Sequence, residues 1–436
     1  MKKSAIAIVV AIVLAVAMIA GCAQTTTPTA TAATSTPAQT STPAAEPAKV
    51  ALRTVGFFGG ADPSAPYYTQ LIQSFMDANK NVTVTDESAT SDEVWKAKVM
   101  TDFSAGNEPD VLLFFTGADA KKLIEDKKVV SIEDIQKDYP DYAKSITPSA
   151  MNFMTEFDGK HYAVPVRGFF EGLFCNKDLF DANGIALPTD WDKFMAAVEA
   201  FKGKGIVPLA ASFSDVPHYW IEHTVLAAGG VADHQVNPKD SYPASWVTGL
   251  DQITALKKAG AFNKDLNSTK NDLVGNLFVT KKAAMYIDGS WFMGTVTDKA
   301  NTVLLPFPAM NGSAKDPSDI IAGFSGGFYI SKKAYDDPAK RDAAVKFVMH
   351  MTTPESIALL CKDAGSPAAQ VPANDSMTAL QKSGFDMAAA AKHADMPIDS
   401  RMSKEAWTYL VSQIPALADG KITAQKLLDE VLKKNK

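Results

Sequence analysis

The chain has 436 residues, 46% of them hydrophobic, enough to bury a large core and to divide into more than one domain. Charged residues make up 21%, with 43 Lys and Arg against 49 Asp and Glu, a balance that excludes a disordered chain. A net charge of −6 with arginine only at Arg53, Arg167, Arg341 and Arg401 excludes a nucleic-acid-binding surface, which needs clustered positive charge.

Met1-Lys2-Lys3 gives the N-terminus a positive end, and an uncharged apolar run follows from Ala5 to Gly21. This is the architecture of a signal peptide, expected to span residues 1–21. Its end, Ile19-Ala20-Gly21-Cys22, resembles a bacterial lipobox, which implies a lipid on Cys22 and cleavage before it. Residues 22–48 are rich in Thr, Ala, Pro and Ser and cannot bury enough apolar area to order themselves, so they read as a tether. A flexible chain of that length averages roughly 30 Å end to end. The other two cysteines, Cys175 in an apolar strand and Cys361 in a helix, read as buried free thiols, with a bridge between them left open.

The body alternates strand and helix signals. Lys49 to Phe58 reads as a strand ending at Gly59-Gly60, and Pro66 to Ala78 carries helical spacing at Tyr68, Leu71, Ile72 and Phe75. Val82-Thr83-Val84 is a short strand, Asp92 caps a helix to about Phe103, and Pro109 to Phe115 is a buried strand leading to a helix at Ala118–Asp126. The alternation predicts an α/β fold with a mainly parallel sheet. Ligands in such sheets lie beyond the carboxyl ends of strands, which puts Phe57, Phe58, Asp62, Phe114, Phe115 and Asp119 on a candidate cleft wall.

From Gly159 to Asp178 the chain turns at Asp158-Gly159, thickens into apolar and aromatic residues, and is interrupted by Pro165. Proline cannot donate to a sheet ladder and is confined to edges or crossings. Arg167, Phe169, Phe170 and Glu171 follow, a guanidinium, two aromatic faces and a carboxylate within five residues. The stretch reads as a crossing between two bodies beside a polar-aromatic cleft, a favoured place for a ligand.

Gly159-Lys160-His161-Tyr162-Ala163-Val164-Pro165, followed by Asn176-Lys177-Asp178-Leu179-Phe180, closely resembles the first inter-lobe crossing of the extracellular solute-binding proteins of sugar ABC importers. Phe278 to Trp291 resembles the family's second crossing, and Gly323 to Ser331 its third. Leu304-Leu305-Pro306-Phe307-Pro308, the helix Pro338–Met351 and Asp419-Gly420-Lys421 continue the likeness, so it covers nearly all of the chain after residue 50. The resemblance implies a periplasmic-binding-protein-like fold, two α/β lobes joined by three crossing segments. The expected division is 49–165 plus 289–322 for lobe 1 and 166–288 plus 323–436 for lobe 2. It further implies capture of a sugar between the lobes, delivery to a membrane permease, no cofactor or metal, and a lipid-anchored monomer outside the membrane.

A sugar presents flat C–H faces and a ring of hydroxyls, so its site needs aromatic faces with carboxylates, amides or a guanidinium. Arg167, Phe169, Glu171, Asp288 and Trp291 fit that inventory, and Tyr219 and Trp220 are stacking candidates from the second lobe. Trp407 stands where some family members stack a sugar, or else on a helix core face with Leu410 and Ile414; Phe324 and Ser325 complete the candidates. Other readings compete. Gly323-Phe324-Ser325-Gly326-Gly327 satisfies G-x-S-x-G, with Asp363 or Asp375 then His393 in hydrolase order, but the residues after it read as strand, where the elbow needs a helix. Glu171 and Asp288 could serve a glycoside-processing enzyme as paired acids, and a degenerate cleft could belong to an adhesin. His218, Glu222 and His223 do not share a helix face as H-E-x-x-H does, and read as a loop and a solvated histidine. Among solutes, a phosphorylated polyol or a peptide is the alternative, though a shortage of arginine disfavours phosphate.

Overall fold

Short apolar strands alternating with helices build two separate sheets in the computed structural model, which describes residues 48–371 and 376–436. The expectations for the signal peptide, Cys22, nearly all of the tether and Asp375 lie outside those residues. The strands are β1 (Val50–Gly56), β2 (Val82–Asp86), β3 (Val111–Phe115), β4 (Val164–Pro165), β5 (Arg167–Asn176) and β6 (Val207–Ala210). Then follow β7 (Ala283–Gly289), β8 (Thr302–Leu305), β9 (Ile320–Gly323), β10 (Gly326–Ile330), β11 (Ser366–Pro367) and β12 (Ala394–Asp395).

The first sheet has the order β2-β1-β3-β10-β4. β1 is parallel to β2 and β3, as the alternation predicts, whereas β10 runs antiparallel to β3 and β4. Helices cover both faces, which is why β3 is an unbroken apolar run rather than an alternating one. Val111 and Leu113 enter one core cluster, with Phe75 edge-on to Phe347 at 5.2 Å, and Leu112 and Phe114 enter another, with Trp95. The helix Glu93–Ser104 starts at Asp92, whose side chain accepts from the Trp95 amide at 2.8 Å, as its position predicts.

The second sheet has the order β12-β9-β5-β7-β6, with β8 and β11 also paired to β5. β5 is its centre, antiparallel to β7, β8 and β9, and buried from Gly168 to Asn176. Leu173 and Cys175 point into one cluster and Phe170 and Phe174 into the other. Cys175 and Cys361 are both buried free thiols, one in a cluster of the second sheet and one in a cluster of the first.

The chain passes between the sheets at Val166, directly after the edge strand that carries Pro165, and again at Phe324-Ser325, between β9 and β10. The middle of the chain departs from the expected division. The stretch 278–291 is not a crossing, because β7 is a buried inner strand held by β5 and β6, and β8 and β9 both pair with β5. Residues 302–323 therefore lie in the second sheet rather than with the first. The helices Lys332–Asp336, Arg341–Met351 and Pro354–Leu360 then add to the core of the first sheet. The chain returns to β5 at β11, and the helices Lys404–Ala418 and Ala424–Lys434 pack on the second.

Candidate functional site

The two halves meet along a seam that the carboxyl ends of β1 and β3 approach from one side and the amino end of β5 and carboxyl end of β7 from the other. Lys404, at the start of its helix, reaches Glu93 of the first half at 2.7 Å and Asp119 at 3.5 Å. Gly117, with φ of 66°, lies so close to the Ser400 carbonyl that an added Cβ would sit 3.2 Å from its oxygen. Arg167 grips Asp62 across the same seam and lies 4.7 Å over the Phe58 ring.

On the first half, the rings of Phe57 and Phe115 stack at 5.1 Å, both half-buried. The Lys96 ammonium lies 4.4 Å over Phe115, 2.6 Å from Asp119 and 3.3 Å from Glu93. Burial alone would lower its pKa, but the carboxylates of Asp119, Asp399 and Glu93 outweigh that and raise it.

On the second half, Phe169 and Trp291 lie 6.2 Å apart at 45°, Phe169 buried and Trp291 half-buried. Beside them the Tyr219 hydroxyl donates to Asp288 Oδ1 at 3.1 Å, and the Gly289 amide donates to the same oxygen at 2.7 Å. Burial pushes the Asp288 carboxyl up to about 6, against the pull of donors from Gly289, Tyr286, Tyr219 and Trp291. Glu171, one strand over, is held well above the usual carboxylate range by burial and then by repulsion from Asp288 and Asp399. The His223 imidazole places Nδ1 2.8 Å from the Tyr219 carbonyl, which can only accept, so that nitrogen carries the proton; burial draws its pKa down to about 3 and keeps the ring neutral.

The sequence candidates thus separate. Phe57, Phe115, Asp119 and Trp291 are half-buried near the strand ends that approach the seam, whereas Phe169, Glu171, Tyr219 and Asp288 are buried in the second half. Arg167 and Asp62 reach the seam but engage each other, and Phe58 is buried beneath them at 2% exposure. Trp220 is a core residue instead of a stacking face, edge-on to Phe262 at 4.7 Å and packed toward Phe307. Trp407 belongs to the core cluster with Leu410 and Ile414, although His218 lies 6.5 Å from its ring. Phe324 leans on Phe153 at 5.9 Å. Ser325 precedes strand β10, and its carbonyl accepts from the Thr116 amide at 2.8 Å. Gly327, two residues on, is required by packing, since a Cβ there would come within 2.5 Å of the Val164 oxygen.

His223 is buried at 2% exposure, not solvated, because the helix His218–His234 is enclosed almost all round. Lys96, Glu222, Asp399 and Lys404 were not legible as site residues. Lys96 stands one turn beyond an N-cap, an ordinary place for a solvated lysine, and Asp399 sits in a short turn with no motif. Among the described residues, no group of three or more His, Cys, Asp or Glu is placed to hold a metal ion. No helix among them is long and apolar enough to cross a membrane.

Comparison with known proteins fits this geometry. The model of a family described as bacterial extracellular solute-binding protein matches residues 61–358. An uncharacterized ABC transporter extracellular-binding protein of Pyrococcus horikoshii is 22% identical over 287 residues, 62% of this chain and 64% of that one. The multiple sugar-binding protein of Streptococcus mutans is 25% identical over 220 residues, 48% of this chain and 51% of the relative. The chain thus spans about half to under two thirds of these curated relatives. Among solved structures, a chitin oligosaccharide binding protein superposes with a TM-score of 0.79 at 24% identity, over 88% of this chain and 98% of its own. A solute-binding protein in complex with raffinose gives 0.72 at 17% identity, over 88% and 98%. At such identities these likenesses establish the shared fold.

Proposed function

The chain belongs to the bacterial extracellular solute-binding protein family, and from that premise we propose that it is the receptor of an ABC importer, capturing a sugar or oligosaccharide between its two halves and delivering it to the membrane permease. The observation that carries the reading is the pairing of Phe169 and Trp291, at 6.2 Å, with the Tyr219–Asp288 hydrogen bond at 3.1 Å. Aromatic faces receive the C–H face of a pyranose, and an adjoining carboxylate and phenol receive its hydroxyls. Relatives and structural neighbours named for sugars add support.

The mechanism is closure. Sugar held by one half recruits the other, and the ligand shifts the equilibrium by the difference in its affinity for the two states. A micromolar ligand supplies about 8 kcal/mol in all, ample for such a shift. The seam contacts Lys404–Glu93 and Gly117–Ser400 are those expected of the closed form. The receptor acts as a monomer outside the membrane, held by a lipid on Cys22 through the tether of residues 22–48, which keeps the body clear of the headgroups.

The ligand leaves unaltered in this reading. It is supported by Ser325 leading into a strand rather than a helix, and by His393 facing Asp319 at 2.8 Å. A thermal-shift screen against mono- and oligosaccharides, followed by calorimetry on the best hit, tests the function. A sugar that raises the melting midpoint and is recovered intact after hours of incubation supports it. Cleavage of that sugar, or no shift with any sugar, rejects it.

A further inference from the structure

Two buried carboxylates of the second half hold oxygens that no donor among the described residues satisfies: Oε2 of Glu171 and both oxygens of Glu222. Glu171 is 4% exposed and Glu222 fully buried. Buried polar atoms in folded proteins are almost always paired, and an unpaired carboxylate is among the most costly to enclose. A third unpartnered acceptor belongs to the residue that follows Glu222. His223 Nδ1 is 3.8 Å from Glu171 Oε2 and carries the proton donated to Tyr219, so the unpartnered Nε2 is a bare lone pair.

Carboxylates outnumber cations around the two glutamates, whereas the Lys315 ammonium and the imidazoles of His234 and His218 act on His223. Glu171 faces Asp288 from β7 and Asp399 from the turn Ile398–Ser400. Glu222 faces Glu171, Asp399 and Asp395, while the Arg401 guanidinium draws it down. Two nitrogens of that guanidinium are engaged, each 2.9 Å from an Asp395 oxygen, and its buried Nε has no partner. Burial and mutual repulsion hold both glutamates well above the ordinary range.

We propose that Glu171 and Glu222, with His223, seat a protonated amine, so that the preferred solute is a saccharide carrying a free amino group. An ammonium brings three donors and a positive charge to carboxyls whose oxygens are unpartnered and which ionise once a cation stands beside them. A hydroxyl brings one donor and no charge, and an N-acyl group one donor and added bulk. The inference rests on the sugar reading and narrows its substrate class. Because the empty seat retains protons that an ammonium displaces, binding should release them.

The test is isothermal calorimetry at pH 7 with matched sets: glucose, glucosamine and N-acetylglucosamine, their galactose and mannose counterparts, and oligomers of each. The expected result is an amino form binding at least 30-fold tighter than its hydroxyl and N-acetyl partners. Close to one proton should be released, read from the dependence of the heat on buffer ionisation. Glu222→Gln and, separately, Glu171→Gln should cut that preference below threefold, with a melting midpoint no lower than that of the parent showing that each variant folds. Neutral saccharides binding as tightly as amino ones would overturn the amine seat and leave the sugar reading standing. Binding of no saccharide by the folded parent would overturn both.

Discussion

Arg167 and Asp62 form a two-pronged ion pair across the seam, Nη1 to Oδ1 at 2.9 Å and Nη2 to Oδ2 at 2.8 Å. The two side chains are 9% and 16% exposed, and the Ser64 hydroxyl accepts from the same guanidinium. Both residues have the chemistry of sugar ligands, yet each already has its partner. Their contribution is to tie the turn after β1 to the first residue of β5.

Breaking such a pair from one side leaves a charge enclosed without compensation, at a cost of about 3 kcal/mol. Asp62→Asn should therefore lower stability by about that amount, read from the urea midpoint at constant slope. A shift below about 0.5 kcal/mol, within the usual range for an exposed pair, would place the pair in water.

Trp291 has the opposite character. It is half-buried, 6.2 Å from Phe169, and its neighbour Gly289 leaves room for the indole, since a Cβ there would fall 2.2 Å from a ring carbon. Trp291→Ala should weaken the best sugar by about 30-fold, the effect of losing an aromatic anchor of about 2 kcal/mol, while far-ultraviolet dichroism stays unchanged. Trp291→Phe should recover most of that loss. Unchanged affinity in the alanine variant would remove the residue from the site.

Much of this architecture was legible because local signals and global fold agree. The Asp92 cap, the apolar run of β3 and the proline that ends β4 each did what its chemistry dictates. The middle of the chain was misread because Ala283–Gly289 carries no mark of which sheet it joins: a strand buried on both faces reads alike in either half. Trp220 and Tyr219 show the same limit at the site. They are adjacent on one helix, one turned to Asp288 and the other to Phe262, and only tertiary packing says which. His223 reads as solvated in the sequence because polar residues usually are, and the enclosure of its helix overrides that.

The contact between Lys404 and the first half should act on closure more than on stability. Lys404 is 52% exposed and Glu93 62%, so the pair is worth well under 1 kcal/mol to folding. Lys404→Glu sets like charges at Glu93 and Asp119, which favours separation of the halves. Small-angle scattering of the ligand-free variant should give a larger radius of gyration than the parent, and sugar affinity should fall roughly three- to tenfold. Both differences should shrink in 1 M salt, where the Debye length is about 3 Å. Differences that survive high salt would assign the effect to packing.

Glu156 gives the first half a dependence on pH that can be isolated. Its carboxylate, 7% exposed, accepts from the Gly117 amide at 3.1 Å, in the loop that carries Asp119 to the seam. Burial raises the carboxyl from 4.5 to about 7, with Asp158 adding to the rise and the Gly117 amide opposing it. The folded state thus holds a proton that the unfolded chain has released between about pH 4.5 and 7. The group's stabilisation is complete below the lower value and is lost as pH rises through the upper one. Glu156→Gln keeps an oxygen for the Gly117 amide but cannot ionise. Urea unfolding of both proteins from pH 5 to pH 8 should show the variant gaining on the parent by on the order of 3 kcal/mol. Glu171, Glu222 and Asp288 shift with the same sign in both proteins and cancel in that difference. A difference that stays flat with pH would mean that Glu156 titrates as a solvated acid, and that the loop bearing Asp119 is held by something other than this hydrogen bond.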